Sequence, residues 1–244
     1  MIIDVHTHYC RDMVRLVGSA LDNGIDRICV SSLGLSYLTN PTPDQIRECN
    51  DQTLASMAQY PDAVVGFCFL NPLHEPDFSL AELHRCVKAG MRGIKLWVAT
   101  VASDPRLDPI AREAIALDIP LLHHSFVKVT GNMPGESTPA DIADLARRHP
   151  RLNLIMAHFT GNGQRGILEI QPYPNVFADS SGGYPCTGIT EFTVRTLGPE
   201  RILFGSDAPG RNYAVQFARV LGAVPEGPAR NAILGDTAQR LLRL

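Results

Sequence analysis

Ile3-Asp4-Val5-His6-Thr7-His8, close to the start of the chain, reads as an apolar β-strand that runs out into two histidines. Successive strand side chains point to opposite faces, so His6 and His8 share one. The same alternation places Asp4 on that face, below them. An ionisable group at the end of an apolar strand is costly to bury unless something uses it. The construction recurs: the run at 120–124 ends in His123 and His124, the run at 153–158 in His158, and Ile202-Leu203-Phe204-Gly205-Ser206-Asp207 in an aspartate. Working outward, eight short runs rich in Val, Ile, Leu and Phe are found, at 2–6, 27–31, 64–70, 93–98, 120–124, 153–158, 175–179 and 202–205. Parallel strands buried on both faces have this near-continuous apolar character.

Helix signals fill the gaps. Residues 44–60 follow Pro41 and Pro43 and carry Ile46, Leu54, Met57 and Ala58 at helical spacing. Ser79 with Glu82 three residues on is a capping-box pattern, and that helix ends near Gly90. Thr138-Pro139 reads as an N-cap and first helical residue, with Asp141 in the first turn and Arg147 and Arg148 in the last. Residues 228–244 read as closing helices. The pattern predicts an α/β fold: one (β/α)8 TIM barrel over residues 1–244 with C-terminal closing helices. The 244 residues sit near the roughly 250 typical of that barrel. A doubly wound open sheet is the competing architecture, but no GxGxxG follows the first strand. A barrel brings every C-terminal strand end to one face, so the distant histidines and Asp207 converge there. Neutral imidazoles and a carboxylate are the donors that zinc and similar divalent ions prefer.

Composition narrows the function. Lys and Arg number 22 against 25 Asp and Glu, a formal net charge of -3. No basic excess is present to neutralise phosphates, which disfavours nucleic acid as a partner. No apolar run approaches the roughly 18 residues of a membrane span, and residues 1–6 carry no signal-peptide pattern. The expectation is a cytoplasmic protein with a small-molecule substrate and no membrane partner; a homodimer would be compatible. Six scattered cysteines without a CxxC pair read as reduced.

The motifs together resemble the amidohydrolase superfamily, most closely its amidohydrolase-related branch of metal-dependent hydrolases and decarboxylases. His6-Thr7-His8 is similar to the opening HxH. Asn50-Asp51, Tyr60-Pro61-Asp62 and Val65-Gly66-Phe67 resemble the second helix and third strand. Gly93-Ile94-Lys95-Leu96, the run ending at His124, Ala157-His158 and Gly205-Ser206-Asp207-Ala208-Pro209 resemble strands four, five, six and eight. The departures are Gly235-Asp236 where Gly-Asn is usual, and a brief loop after strand one.

The resemblance implies site residues. His6 and His8 would bind the first metal. His124, ahead of Ser125, would be the ligand from strand five, leaving His123 to face a helix. His158 would bind a second metal or a substrate oxygen. Asp207 would bind metal and move a proton. Lys95 is either a carboxylated bridge between two metals or an ordinary ammonium paired with a substrate carboxylate or Asp179. Position alone, apart from the resemblance, offers Trp97 as a pocket wall or core packing, Asp179 or Ser180 as a substrate contact or a loop-positioning hydrogen bond, and Arg211 as an anion holder or surface charge. The cofactor implied is a divalent metal, zinc first, as one or two ions. The leading activity implied is metal-dependent hydrolysis of a C–N or C–O bond in an amide, cyclic amide, lactone or ester, with His158 and Asp207 catalytic. Non-oxidative decarboxylation or hydration of a small carboxylic acid is the alternative. A non-catalytic binding barrel is a third reading, against which the retained donor set speaks.

Overall fold

The computed structural model describes residues 1–98, 100–183 and 186–244, with the side chain of Thr160 left aside. Strands and helices alternate: β1 (Ile3–His8), α1 (Met13–Asp22), β2 (Arg27–Ser31), α2 (Pro43–Gln59), β3 (Val64–Leu70), α3 (Pro76–Lys88), β4 (Gly93–Leu96), α4 (Asp108–Leu117), β5 (Leu121–His123), α5 (Pro139–Arg148), β6 (Leu154–Met156), α6 (Phe159–Ile170), β7 (Val176–Asp179), α7 (Ile189–Leu197), β8 (Ile202–Leu203) and α8 (Tyr213–Ala223). Two short helices follow, α9 (Pro228–Asn231) and α10 (Thr237–Leu242).

The strands pair in parallel in chain order from β1 to β8. Backbone hydrogen bonds close the ring: Val5 N donates to Phe204 O at 2.9 Å, Asp207 N to His6 O at 2.8 Å and His8 N to Ala208 O at 2.7 Å. This is a TIM barrel, as the alternation predicts. Outward strand residues such as Ile28, Leu121, Leu154 and Val176 pack under the helices. Inward ones, Ile3, Cys29, Val65, Leu122, Ile155, Phe177 and Leu203, form a separate interior cluster with Ala238, Leu241 and Leu242 of α10. The last helix therefore plugs the end of the barrel from which the strands start. Gly235, just before it, has no room for a side chain: a Cβ there would lie 1.9 Å from Met1 O. The chemistry is left to the opposite, C-terminal end of the strands.

Local signals explain the helix starts. Thr42 caps α2 reciprocally with Gln45, with Pro43 in the first turn, and Thr138 does the same with Asp141 for α5. The expected start at Ser79 is corrected. Pro76 opens α3 a turn earlier, where its fixed φ suits the first helical position. Glu82 turns instead to Asn50, 2.8 Å away, and to Arg85.

β1 departs from simple alternation. Its register against β2 shifts between Asp4 and Thr7. Ile3 and Val5 are interior, and His6 and His8 then also face the barrel axis. Asp4 does not share their face. Its Oδ1 accepts from the backbone N of His6 at 2.9 Å and of Ser206 at 3.0 Å, tying β1 to β8. Burial raises this carboxyl to about 6.

Candidate metal centre

Each candidate side chain is placed by a strand end. His6 and His8 close β1, Lys95 lies within β4, and His124 follows β5. His158 follows β6 at φ 65° and Asp207 follows β8 at the same φ. Non-glycine residues seldom adopt this left-handed backbone, and such strain concentrates at functional sites. Gly205 completes the packing: a Cβ there would come within 3.1 Å of both Asp179 and His6.

The groups converge on the Nε2 atom of His6. Lys95 Nζ lies 2.8 Å from it, His8 Nε2 3.2 Å and Asp207 Oδ1 3.8 Å. His8 Nε2 is also 3.4 Å from Asp207 Oδ1. Among the described residues, His6, His158 and Asp207 offer three donor atoms within 4.8 Å of one another. The second nitrogen of each ring is engaged. His6 Nδ1 faces Asp179 Oδ2 at 2.9 Å, His8 Nδ1 faces Ser31 O at 3.4 Å, and His158 Nδ1 faces Ser181 Oγ at 2.9 Å. The proton of a neutral imidazole sits on the nitrogen that has an acceptor. The Nε2 atoms of His6 and His8 thus meet as two lone pairs. A cation is what such a contact calls for, so the donor set fits a divalent metal.

Electrostatics agree. Burial pushes His8 and His124 down to about 4 and His158 well below its usual value. These rings are neutral at pH 7, as metal ligands must be. Burial would raise Asp207, but the close contact with His8 and the adjoining imidazoles hold it well below the usual carboxylate range. Burial also brings the fully buried Lys95 down to about 8, against the pull of Asp179 and Asp207.

Two expected members are placed differently. Asp179 is fully buried beneath His6 and does not reach the opening; it also accepts from Ser181 N at 2.8 Å and His158 N at 3.2 Å. Ser180 ties β7 to Gly205. His124 stands beside the group, its Nδ1 3.1 Å from His158 Nε2 and its Nε2 2.8 Å from Glu136 Oε1. His123 faces away, donating from Nδ1 to its neighbour's carbonyl at 2.8 Å. The site opens into a cavity of about 430 Å³, walled by Trp97, Tyr37 and Phe126 and rimmed by Lys128 and Arg211. Trp97 packs edge-on against His124 with centroids 4.3 Å apart. Arg211 Nε lies 4.0 Å from Asp207 Oδ2. A second opening of about 380 Å³ lies beyond Arg211, lined by Cys10 and Arg15. Sequence reasoning did not find Tyr37, Phe126, Lys128, Glu136 or Ser181. Most sit on loops between strand and helix, where no periodicity marks a residue.

The buried rings carry a pH prediction. His8, His123 and His124 have folded pKa values of about 4 against 6.5 when free. Below pH 6.5 the unfolded chain therefore binds protons that the folded chain refuses. Their contribution is complete above pH 6.5 and is lost as pH falls toward 4, at up to about 1.4 kcal/mol per pH unit for each ring. Tm of the metal-free protein should fall continuously across that window. A flat Tm from pH 6.5 to 4 would contradict the burial of these rings.

A family model described as Amidohydrolase matches residues 3–244. The chain belongs to the amidohydrolase family. No curated protein sequence matches it. Solved structures share the fold. A 2,6-dihydroxybenzoate decarboxylase from Rhizobium is 19% identical with a TM-score of 0.79, covering 99% of this chain and 98% of that one. A dihydroxybenzoic acid decarboxylase from Polaromonas sp. JS666, with bound manganese and the inhibitor 2-nitroresorcinol, is 18% identical with a TM-score of 0.79, covering 100% and 97%. A 4-oxalomesaconate hydratase from Rhodopseudomonas palustris is 15% identical with a TM-score of 0.74, covering 100% and 96%.

Proposed function

We propose that this chain is a metal-dependent lyase that removes carbon dioxide, without oxidation, from a small carboxylic acid. The observation that carries the reading is the cationic surround of the donor group: Lys95 against His6 and Arg211 against Asp207. Those charges suit a substrate carboxylate better than a neutral amide. The likeness to decarboxylases and a hydratase supports the same choice over hydrolysis.

His6, His8, His158 and Asp207 would hold the ion, with His124 alongside. When bound, it supplies Lewis-acid charge beside the substrate carboxylate. Arg211 binds and orients that carboxylate from the rim, and Lys95, fully buried against His6, adds positive charge beneath the donor group. Trp97, Tyr37 and Phe126 exclude water from the carbon skeleton. In the reaction the C–C bond to the carboxylate breaks, its electron pair stays on the substrate carbon, that carbon takes a proton and carbon dioxide leaves. Asp207, ionised at rest, relays that proton from solvent in the cavity to the carbon. It is one-fifth exposed, so it can exchange protons with solvent through the cavity.

Hydrolysis is the second reading, favoured by one feature. An ionised Asp207 at the cavity edge is also placed to take a proton from an attacking water. One experiment separates the two: the protein reconstituted with manganese or zinc is offered a panel of carboxylic acids, amides, lactones and esters. Carbon dioxide release from an acid is expected. Turnover confined to the amides, lactones or esters would reject the lyase reading in favour of hydrolysis.

A further inference from the structure

The loop between β5 and α5 closes on itself. Phe126 N donates to Ser137 O at 2.9 Å, Asn132 Nδ2 to Phe126 O at 2.8 Å and Lys128 N to Asn132 Oδ1 at 3.0 Å. This closure delivers the Glu136 carboxylate, with no exposed side-chain surface, to the ring of His124. Three groups donate to it: His124 Nε2 at 2.8 Å, Lys128 Nζ at 2.8 Å and Met133 N at 2.8 Å.

The aromatic neighbours of His124 leave one choice open. Phe126 stacks on the ring at 14° between planes, and Trp97 meets it edge-on. Both contacts fix the plane of the imidazole. Neither fixes which edge faces the site, because a ring turned over by half a revolution fills the same plane and that torsion is roughly two-fold. An ionised carboxylate only accepts hydrogen bonds. Opposite Glu136 the ring must therefore present N–H. The remaining nitrogen then points at His158 Nε2, 3.1 Å away, with its lone pair exposed. His158 is committed in the same sense. Ser181 Oγ gives its hydrogen to Asp179 Oδ1 and accepts from His158 Nδ1.

We propose that Glu136 is a positioning residue that locks His124 as the Nε2–H tautomer, so that Nδ1 rather than Nε2 faces the metal centre. The lock is a property of the metal-free chain; only the use of Nδ1 as a donor to the ion rests on the function proposed above. The four nitrogens of His124 and His158 then form one ordered row: donor to Glu136, lone pair, lone pair, donor to Ser181.

The test is a long-range proton–nitrogen correlation spectrum of the full-length, metal-free protein, with His124 assigned by comparison with His124→Gln. The expected result is a protonated Nε2 and an unprotonated Nδ1. Glu136→Ala should leave a mixture of tautomers, and Glu136→Gln, whose Oε1 still accepts, should restore the wild-type pattern. Affinity for manganese or zinc should fall about 10–100-fold in Glu136→Ala and less in Glu136→Gln. A protonated Nδ1 in the wild-type protein would overturn the proposal without any variant having to fold. So would an unchanged tautomer in Glu136→Ala. A wild-type chain with the expected tautomer that takes up neither ion would overturn the metal reading and uphold the lock.

Discussion

Asp207→Asn is expected to lower kcat by about 10²–10⁴-fold, the usual worth of a positioned general acid–base group, while far-UV circular dichroism stays that of the wild type. The side chain is one-fifth exposed and held at the end of β8 by a backbone that pairs with β1, through Asp207 N to His6 O at 2.8 Å. Asparagine keeps that backbone pairing and the side-chain volume. It cannot carry the proton, and it offers one weaker oxygen donor in place of a carboxylate. The loss should appear in kcat more than in KM, because the proton moves only during the chemical step. Turnover within a few-fold of wild type would remove Asp207 as the proton carrier.

Asp179→Ala is expected to act on stability. This carboxylate is fully buried and held ionised: burial opposes its charge, but the His6 ring and the Ser181 hydroxyl keep it well below the usual range. Alanine leaves Ser181 N and His158 N without their acceptor inside the barrel, and leaves His6 Nδ1 with Ser181 Oγ at 3.1 Å alone. Each buried donor left without a partner costs about 1–3 kcal/mol. At roughly 2–4 °C per kcal/mol for a chain of this size, Tm should fall by about 10 °C. Metal uptake should fall with it, since both His6 and His158 lose the partner that orients them. An unchanged Tm would mean that the barrel interior admits water at this depth.

The barrel was legible because burial on both faces writes each strand as an apolar run, and all eight runs correspond to strands. Their ends were overestimated at 93–98, 120–124, 153–158 and 202–205, where the observed strands stop earlier. After β6 the reason is local: just beyond Met156 the chain turns through His158 in a left-handed conformation, which apolar character does not reveal. The convergence of His6, His8, His158 and Asp207 followed from placing strand ends on one face. Asp4 was misread because the alternation argument assumes an unbroken register, and β1 shifts its register between Asp4 and Thr7. Asp179 was correctly placed at a strand end, yet its depth below His6 needed coordinates. Glu136 was out of reach for another reason. It arrives from the middle of a loop, and what aims it is a set of loop hydrogen bonds with no sequence period.

The claim on which the rest depends is that the His6, His158 and Asp207 group holds a divalent ion. Elemental analysis of the full chain, purified without chelator and dialysed, measures this directly. About one bound divalent ion per chain or more is expected, removed by chelator and regained from added manganese or zinc. Folded protein that is metal-free and takes up neither ion would contradict it.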